Sequence, residues 1–144
     1  MSEVIESTGP QLFATPGYGE KALEMLHYNQ ALRIGDRVEI SGQGGWNDDL
    51  EVPGDLETEI RQAFENVQRT LATAGASWAD VVHVNSYHVL PDGSFQAHNE
   101  VMIDEFRTRL PDRPPIWTQT AVVALGLPTM RVEIRVTAVV TRPV

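Results

Sequence analysis

The sequence predicts an α+β fold: one mixed β-sheet with two amphipathic helices on one face, in the order β-β-α-β-α-β-β. Three observations predict it. Two segments carry apolar residues at three- and four-residue spacing. The runs between them are β-branched or aromatic and alternate with a period of two. Breaks rich in Gly, Pro and Asp separate the segments.

Residues 1–20 are rich in Gly, Pro and Ser/Thr and read as a loose lead-in, with at most a short strand around Gln11–Thr15. Two β-compatible runs, His27–Ile34 and Arg37–Gln43, flank Gly35-Asp36 and form a hairpin. In the second run Val38 and Ile40 face one way, and Arg37, Glu39 and Ser41 the other. The stretch GQGGWNDDLEVPGD is a loop. Asp55 then caps a helix whose stripe is Ile60, Ala63, Phe64, Val67, Leu71 and Ala74, and Gly75 ends it. Ala79–Val89 is a strand and Pro91-Asp92-Gly93 a turn. Ser94 caps the second helix, which buries Phe95, Met102, Ile103, Phe106 and Leu110 and stops at Pro111. Ile116–Ala124 and Met130–Val140 close the sheet across Gly126-Leu127-Pro128.

The chain of 144 residues makes one domain, able to bury roughly two-thirds of the surface its unfolded form exposes. It has no cysteine, which excludes disulfides, thiolate metal sites and a cysteine nucleophile. The net charge of −9, with 11 scattered basic residues, argues against nucleic acid as a partner. No apolar run reaches the ~20 residues that span a bilayer. The start, MSEVIESTGP, is acidic and polar and reads as neither a secretory signal nor a transit peptide, so the expected location is the cytoplasm with no membrane partner. His83 and His88 lie on opposite faces of a strand, while His27 and His98 stand alone, so no metal site is expected.

In the last strand Val132, Ile134, Val136, Ala138 and Val140 point under the helices. Arg131, Glu133, Arg135 and Thr137 point to the uncovered face. With Trp117 and Val139 also assigned to it, that face predicts self-association. Glu133 is then either a carboxylate paired with Arg131 or Arg135, or the acid of a crevice between subunits.

Tyr28–Gln43, YNQALRIGDRVEISGQ, fits the pattern Y-x-Q-x(4)-G-x(5)-S-G-Q; Phe95–Phe106 and Val132–Ile134 follow in matching order. From Tyr28 to Val140 the chain resembles the RidA (YjgF) family of reactive-intermediate deaminases. The resemblance implies a chorismate-mutase-like fold and a homotrimer whose sheets face a central barrel. It also implies small-molecule clefts between subunits, no cofactor and no metal. The implied activity is hydrolysis of amino-acid-derived enamines and imines to 2-keto acids and ammonia. Tyr28 and Glu133 fall on the positions with catalytic roles, with Glu133 orienting water. Ser41 and Gly42 fall on the loop that approaches the substrate, and Asn99 on a helix asparagine near the site. Imine hydrolysis needs a positioned water and a group that passes protons, which a partly desolvated carboxylate can be.

One departure stands out. The deaminases grip the substrate carboxylate with an arginine in P-x-R-[ST]. Here Trp117 occupies that position when the run is anchored on Pro115, and Gln119 when it is anchored on Leu127-Pro128. Neither an indole nor an amide replaces arginine's bidentate grip. The expected substrate therefore lacks the usual carboxylate, and Trp117 and Gln119 line its cleft. Trp46, close to the S-G-Q stretch, narrows the same cleft. Two alternatives are a non-catalytic metabolite-binding protein and an endoribonuclease; the acidic balance disfavours the second.

Overall fold

The computed structural model describes residues 9–141. Its elements are β1 (Gln11–Phe13), α1 (Tyr18–Leu26), β2 (Ala31–Ile34), β3 (Arg37–Ile40), α2 (Leu56–Thr73), β4 (Val81–His88), α3 (Gln96–Arg109), β5 (Ile116–Ala121) and β6 (Val132–Val139). The six strands form one sheet in the order β1-β2-β3-β6-β4-β5. Only β4 and β5 run parallel; the other neighbours are antiparallel, so the sheet is mixed as expected.

Both expected helices form, and α2 has the expected causes, but α3 starts at Gln96 with Phe95, not the expected Ser94, at its N-cap and without a side-chain cap. The Asp55 carboxylate accepts the Thr58 N–H at 2.9 Å and starts α2. Gly75, at φ +79°, ends it, with Gly75 and Ala76 N–H groups closing on Ala72 and Leu71 carbonyls. All six residues of the expected stripe are buried, and Phe64 stacks on Trp78 with ring centroids 4.9 Å apart. The stripe packs on Val38, Ile40, Val84, Ile134 and Val136 of the sheet.

Three further expectations need correction. There is a third helix, α1, where the lead-in was expected to be loose; residues 1–8 of that lead-in lie outside the described residues. Gly17, at φ +84°, turns the chain into α1, and its N–H donates to Glu20 Oε1 at 3.0 Å. Tyr18 is fully buried and anchors the helix, its hydroxyl donating to Gln43 Oε1 at 2.7 Å. His27, left-handed at φ +60°, closes α1, and β2 begins only at Ala31, later than the expected start at His27.

The buried side of α3 is His98, Val101, Met102 and Glu105; Ile103 is exposed. Glu105 can be buried because Arg61 and Arg109 reach it at 2.8 and 2.6 Å. Finally, β5 is turned over relative to expectation. Trp117 and Gln119 pair in register with Val84 and Ser86, whose side chains lie under the helices. Trp117 packs on Phe106 of α3, 5.0 Å between centroids, and is not on the uncovered face.

Tyr18→Phe keeps the ring and removes only the hydroxyl that serves Gln43, the Asn66 carbonyl and Thr70. It is expected to cost about 1–2 kcal/mol, read as a lower urea midpoint at unchanged slope.

Candidate functional site

Glu133 lies on the uncovered face of β6, directly opposite Tyr87 of β4. Gly42, just past β3, sits beneath its carboxylate: a Cβ built on Gly42 would lie 2.5 Å from Glu133 Oε1 and 2.6 Å from its Cδ. Glycine is therefore required here by close approach, not by backbone conformation. The carboxyl is half-buried and makes no ion pair among the described residues. Burial alone holds its pKa above the usual carboxylate range.

The two arginines beside it are engaged elsewhere. Arg135 reaches Glu39 Oε1 at 3.1 Å. Arg131 leaves the face altogether: its N–H and Nε donate to the fully buried Glu59 carboxylate at 2.7 and 2.8 Å, and Nη2 donates to the Gly54 carbonyl at 2.9 Å. The expectation that Arg131 shares the face of Glu133 is corrected, because Glu59 on α2 would otherwise be a buried, unpaired charge.

Glu133 forms one wall of a cavity of about 130 Å³ that opens between α1, the loop after β3 and the loop before β6. Tyr28 lines it too and is exposed at 38%. Leu26, Trp46, Leu127 and Met130 make most of the remainder apolar, and among the described residues neither lysine nor arginine lines it.

A buried amide pair supports this wall. Gln43 Oε1 accepts from Tyr18, so Gln43 Nε2 is the donor to Gln30 Oε1 at 2.6 Å. The Ser41 hydroxyl donates to the same Gln30 oxygen at 3.3 Å. Asn66 fixes the loop by donating to the carbonyls of Gly44 and Trp46, both at 2.8 Å.

The structure thus brings together Tyr28, Ser41, Gly42 and Glu133 of the expected site. It does not bring Asn99, Trp117 and Gln119 to them within one chain. Those three lie on the helix side of the sheet in a second polar cluster. Gln119 Nε2 donates to Asn99 Oδ1 at 2.6 Å, and Trp117 Nε1 donates to Ser86 Oγ at 2.9 Å. His88 and His98 join them with their Nδ1 atoms 2.8 Å apart, which corrects the expectation that the histidines stand apart. Strand β4 carries His88 inward and α3 presents His98 to it, a meeting between elements that spacing along one strand cannot reveal. Among the described residues no group of three or more His, Cys, Asp or Glu is placed to hold a metal ion, and no helix is long and apolar enough to cross a membrane.

Tyr18, Ala22, Leu26 and Leu50 are among the cavity residues that the sequence did not single out. The one available signal was the run YGEKALEML, whose helical character is obscured by the glycines and proline before it.

A family model described as Endoribonuclease L-PSP matches residues 19–140. The RutC family protein YjgH of Escherichia coli (strain K12) is 34% identical over 121 residues, 83% of this chain and 88% of that protein. The 2-iminobutanoate/2-iminopropanoate deaminase of Dermatophagoides farinae is 35% identical over 91 residues, 62% of this chain and 70% of that protein. The solved structure of protein YJGH superposes with a TM-score of 0.76 at 27% identity, covering 92% of this chain and 96% of that one.

Proposed function

The chain belongs to the Endoribonuclease L-PSP family, which includes the RidA and YjgF proteins, and from that premise we propose that it hydrolyses small imines or enamines to a carbonyl compound and ammonia. The observation that carries this reading is the unpaired, half-buried Glu133 carboxyl, closed onto Gly42 and facing an apolar cavity. The relative named as a deaminase acts on 2-imino acids by its name, and supports the reaction class rather than the substrate.

In the proposed reaction Glu133 accepts a proton from a water as the water oxygen bonds to the C=N carbon. Glu133 passes that proton on to the imine nitrogen and is ionised again. The resulting carbinolamine then expels ammonia as its hydroxyl proton leaves and the C=O bond forms. Water and imine are consumed, carbonyl compound and ammonia are released, and no cofactor or metal is needed. Tyr28 at the rim orients the reacting water. Ser41 and Gly42 shape the floor, Gly42 because any side chain there would displace the carboxylate.

We propose a single domain over residues 1–144 that assembles as a homotrimer in the cytoplasm, with the uncovered faces together. Leu12, Ile34 and Ile116 on or beside that face are exposed at 59%, 48% and 67%, which favours such burial. β5 is an edge strand, so Asn99, Trp117 and Gln119 of one copy would reach the cleft of the next.

Gln119 is bonded to Asn99 and offers no charge, so substrates without a carboxylate are favoured. The purified protein is tested against a panel of imines generated in situ, with and without an α-carboxylate, by measuring ammonia. Release is expected above buffer rates for the neutral members and at most weakly for 2-imino acids. Buffer-level release from every member would refute the catalytic reading.

A further inference from the structure

We infer that Leu50 sets the width of the cavity beside Glu133 and that Asn47 holds it in place, so that the two residues select ligands by the size of their apolar body. The inference rests on the site proposed above for its location and adds the residues that decide what fits there.

Leu50 has an unusual backbone. Among the described residues only two other than glycine have a positive φ, His27 at +60° and Leu50 at +61°. His27 has an ordinary reason, since it closes α1. Leu50 ends no helix. Glycine adopts this conformation freely, whereas a bulky side chain costs stability there. Such strain persists where the surroundings enforce it, and it gathers at functional sites and ligand clamps.

Asn47 enforces it. Its Oδ1 accepts the Asp49 and Glu51 N–H groups at 2.9 and 3.0 Å, and its Nδ2 donates to Glu51 Oε1 at 2.9 Å. The backbone closes the same turn: the Leu50 N–H donates to the Asn47 carbonyl and the Asn47 N–H to that of Glu51, both at 3.0 Å. The turn is also tied to the far bank of the cavity. The Tyr18 N–H, at the start of α1, donates to Asp48 Oδ1 at 3.3 Å, and Arg69 reaches the same oxygen at 2.9 Å. Lys21 of α1 reaches Asp49 at 2.9 Å. Withdrawing Leu50 therefore means opening the turn.

The turn presents an apolar side chain to the cavity. Leu50 is half-buried, lines the cavity and packs against the cluster of Tyr18, Trp46 and Met130. Its neighbours in that cluster are fixed: the Tyr18 hydroxyl is bonded to Gln43, and Asn66 holds the Trp46 carbonyl. Leu50 is the wall that can be trimmed without touching Glu133, Tyr28 or the Gly42 floor. The cavity, about 130 Å³, is close to the ~150 Å³ in which an engineered cavity holds benzene. In so small a space, losing one leucine side chain makes room for a second fused ring.

Benzyl alcohol and 2-naphthylmethanol differ by that one ring. Calorimetric titration of the assembled protein is expected to favour benzyl alcohol by about tenfold or more in the wild type. Leu50→Ala should move the affinity ratio about tenfold or more toward the naphthyl compound. Asn47→Ala should move it the same way, and the double variant no further than Leu50→Ala alone, because Asn47 acts through Leu50. Leu50→Gly opens the cavity equally and also relieves the backbone, so its urea midpoint should lie above that of Leu50→Ala. A ratio in Leu50→Ala within about twofold of the wild type would overturn the inference. So would a Leu50→Gly midpoint below that of Leu50→Ala, or no binding of either alcohol to any of these proteins. The expected shift without ammonia release from any imine would refute the catalytic reading and leave this one standing. Imine turnover with an unshifted ratio would do the reverse.

Discussion

Replacing Glu133 with glutamine is expected to lower kcat/KM for imine hydrolysis by about 10²–10⁴-fold, the usual range for losing a positioned general base. The amide keeps the length and planarity of the side chain, so its fit over Gly42 survives. Only proton transfer is lost. Burial lifts the Glu133 carboxyl above the ordinary range, so the acidic limb of the wild-type rate profile should lie above that of a free glutamate. Above its pKa the carboxylate is ionised and can accept the proton of water; below it activity falls. In Glu133→Gln that limb should vanish while the residual rate is low and flat. Steady-state rates across pH, with light scattering to verify an unchanged assembly, are the measurement. A variant as fast as wild type would remove Glu133 from the chemistry, whatever else occupies the cavity.

The strongly periodic elements were legible from the sequence. The stripe from Ile60 to Ala74, the cap at Asp55 and the stop at Gly75 are local signals, and tertiary packing agreed with each of them. The alternation of β6 was equally clear, because Val132, Ile134, Val136 and Ala138 leave no choice of face. Glu133 on the uncovered side followed directly.

β5 was harder. Its two sets, Ile116-Thr118-Thr120 and Trp117-Gln119-Ala121, each mix apolar and polar residues, so alternation shows which residues share a face but not which face that is. The parallel register with β4 decides it, and that register is a long-range fact. α1 was hidden for another reason. Its buried residues are Tyr18, Gly19 and Ala22, while Leu23, Met25 and Leu26 stay exposed. Tyr18, Ala22, Met25 and Leu26 recur at helical spacing, but over only nine residues that follow Pro16 and Gly17, too short a run to outweigh those breakers. The cavity depends on α1, so Glu133, Tyr28 and Gly42 could be named from sequence, whereas the apolar wall that gives Glu133 its character could not.

Stability is expected to fall by about 2–3 kcal/mol between pH 7 and pH 4.5 because of His88 alone, before most carboxylates titrate. The hydrogen bonds determine why. The Gln119 amide nitrogen can only donate and faces His88 Nε2 at 3.3 Å, so that histidine nitrogen is an acceptor and the Ser86 hydroxyl, which itself accepts from Trp117, donates to it at 2.8 Å. With Nε2 an acceptor, the His88 proton sits on Nδ1 and is donated to His98 Nδ1. A second proton on His88 would turn a donor toward Ser86 and Gln119, and one on His98 Nδ1 would set donor against donor. Desolvation, with the neighbouring His98 second, pushes His88 down to about 3. Burial and then Arg131 lower His98, against a smaller upward pull from Asp92. In the unfolded chain both histidines titrate near 6.5. Below that pH the unfolded state binds protons that the folded state refuses, so the contribution is complete above about pH 6.5 and is lost as pH falls toward 3. Urea unfolding at pH 7, 5.5 and 4.5 measures the slope. Replacing both histidines, His88→Asn with His98→Asn, should lower stability at pH 7 and flatten the slope across this window. A wild type whose stability is level from pH 7 to 4.5, or a double variant that keeps the wild-type slope, would show that this pair is not the acid-sensitive element of the fold.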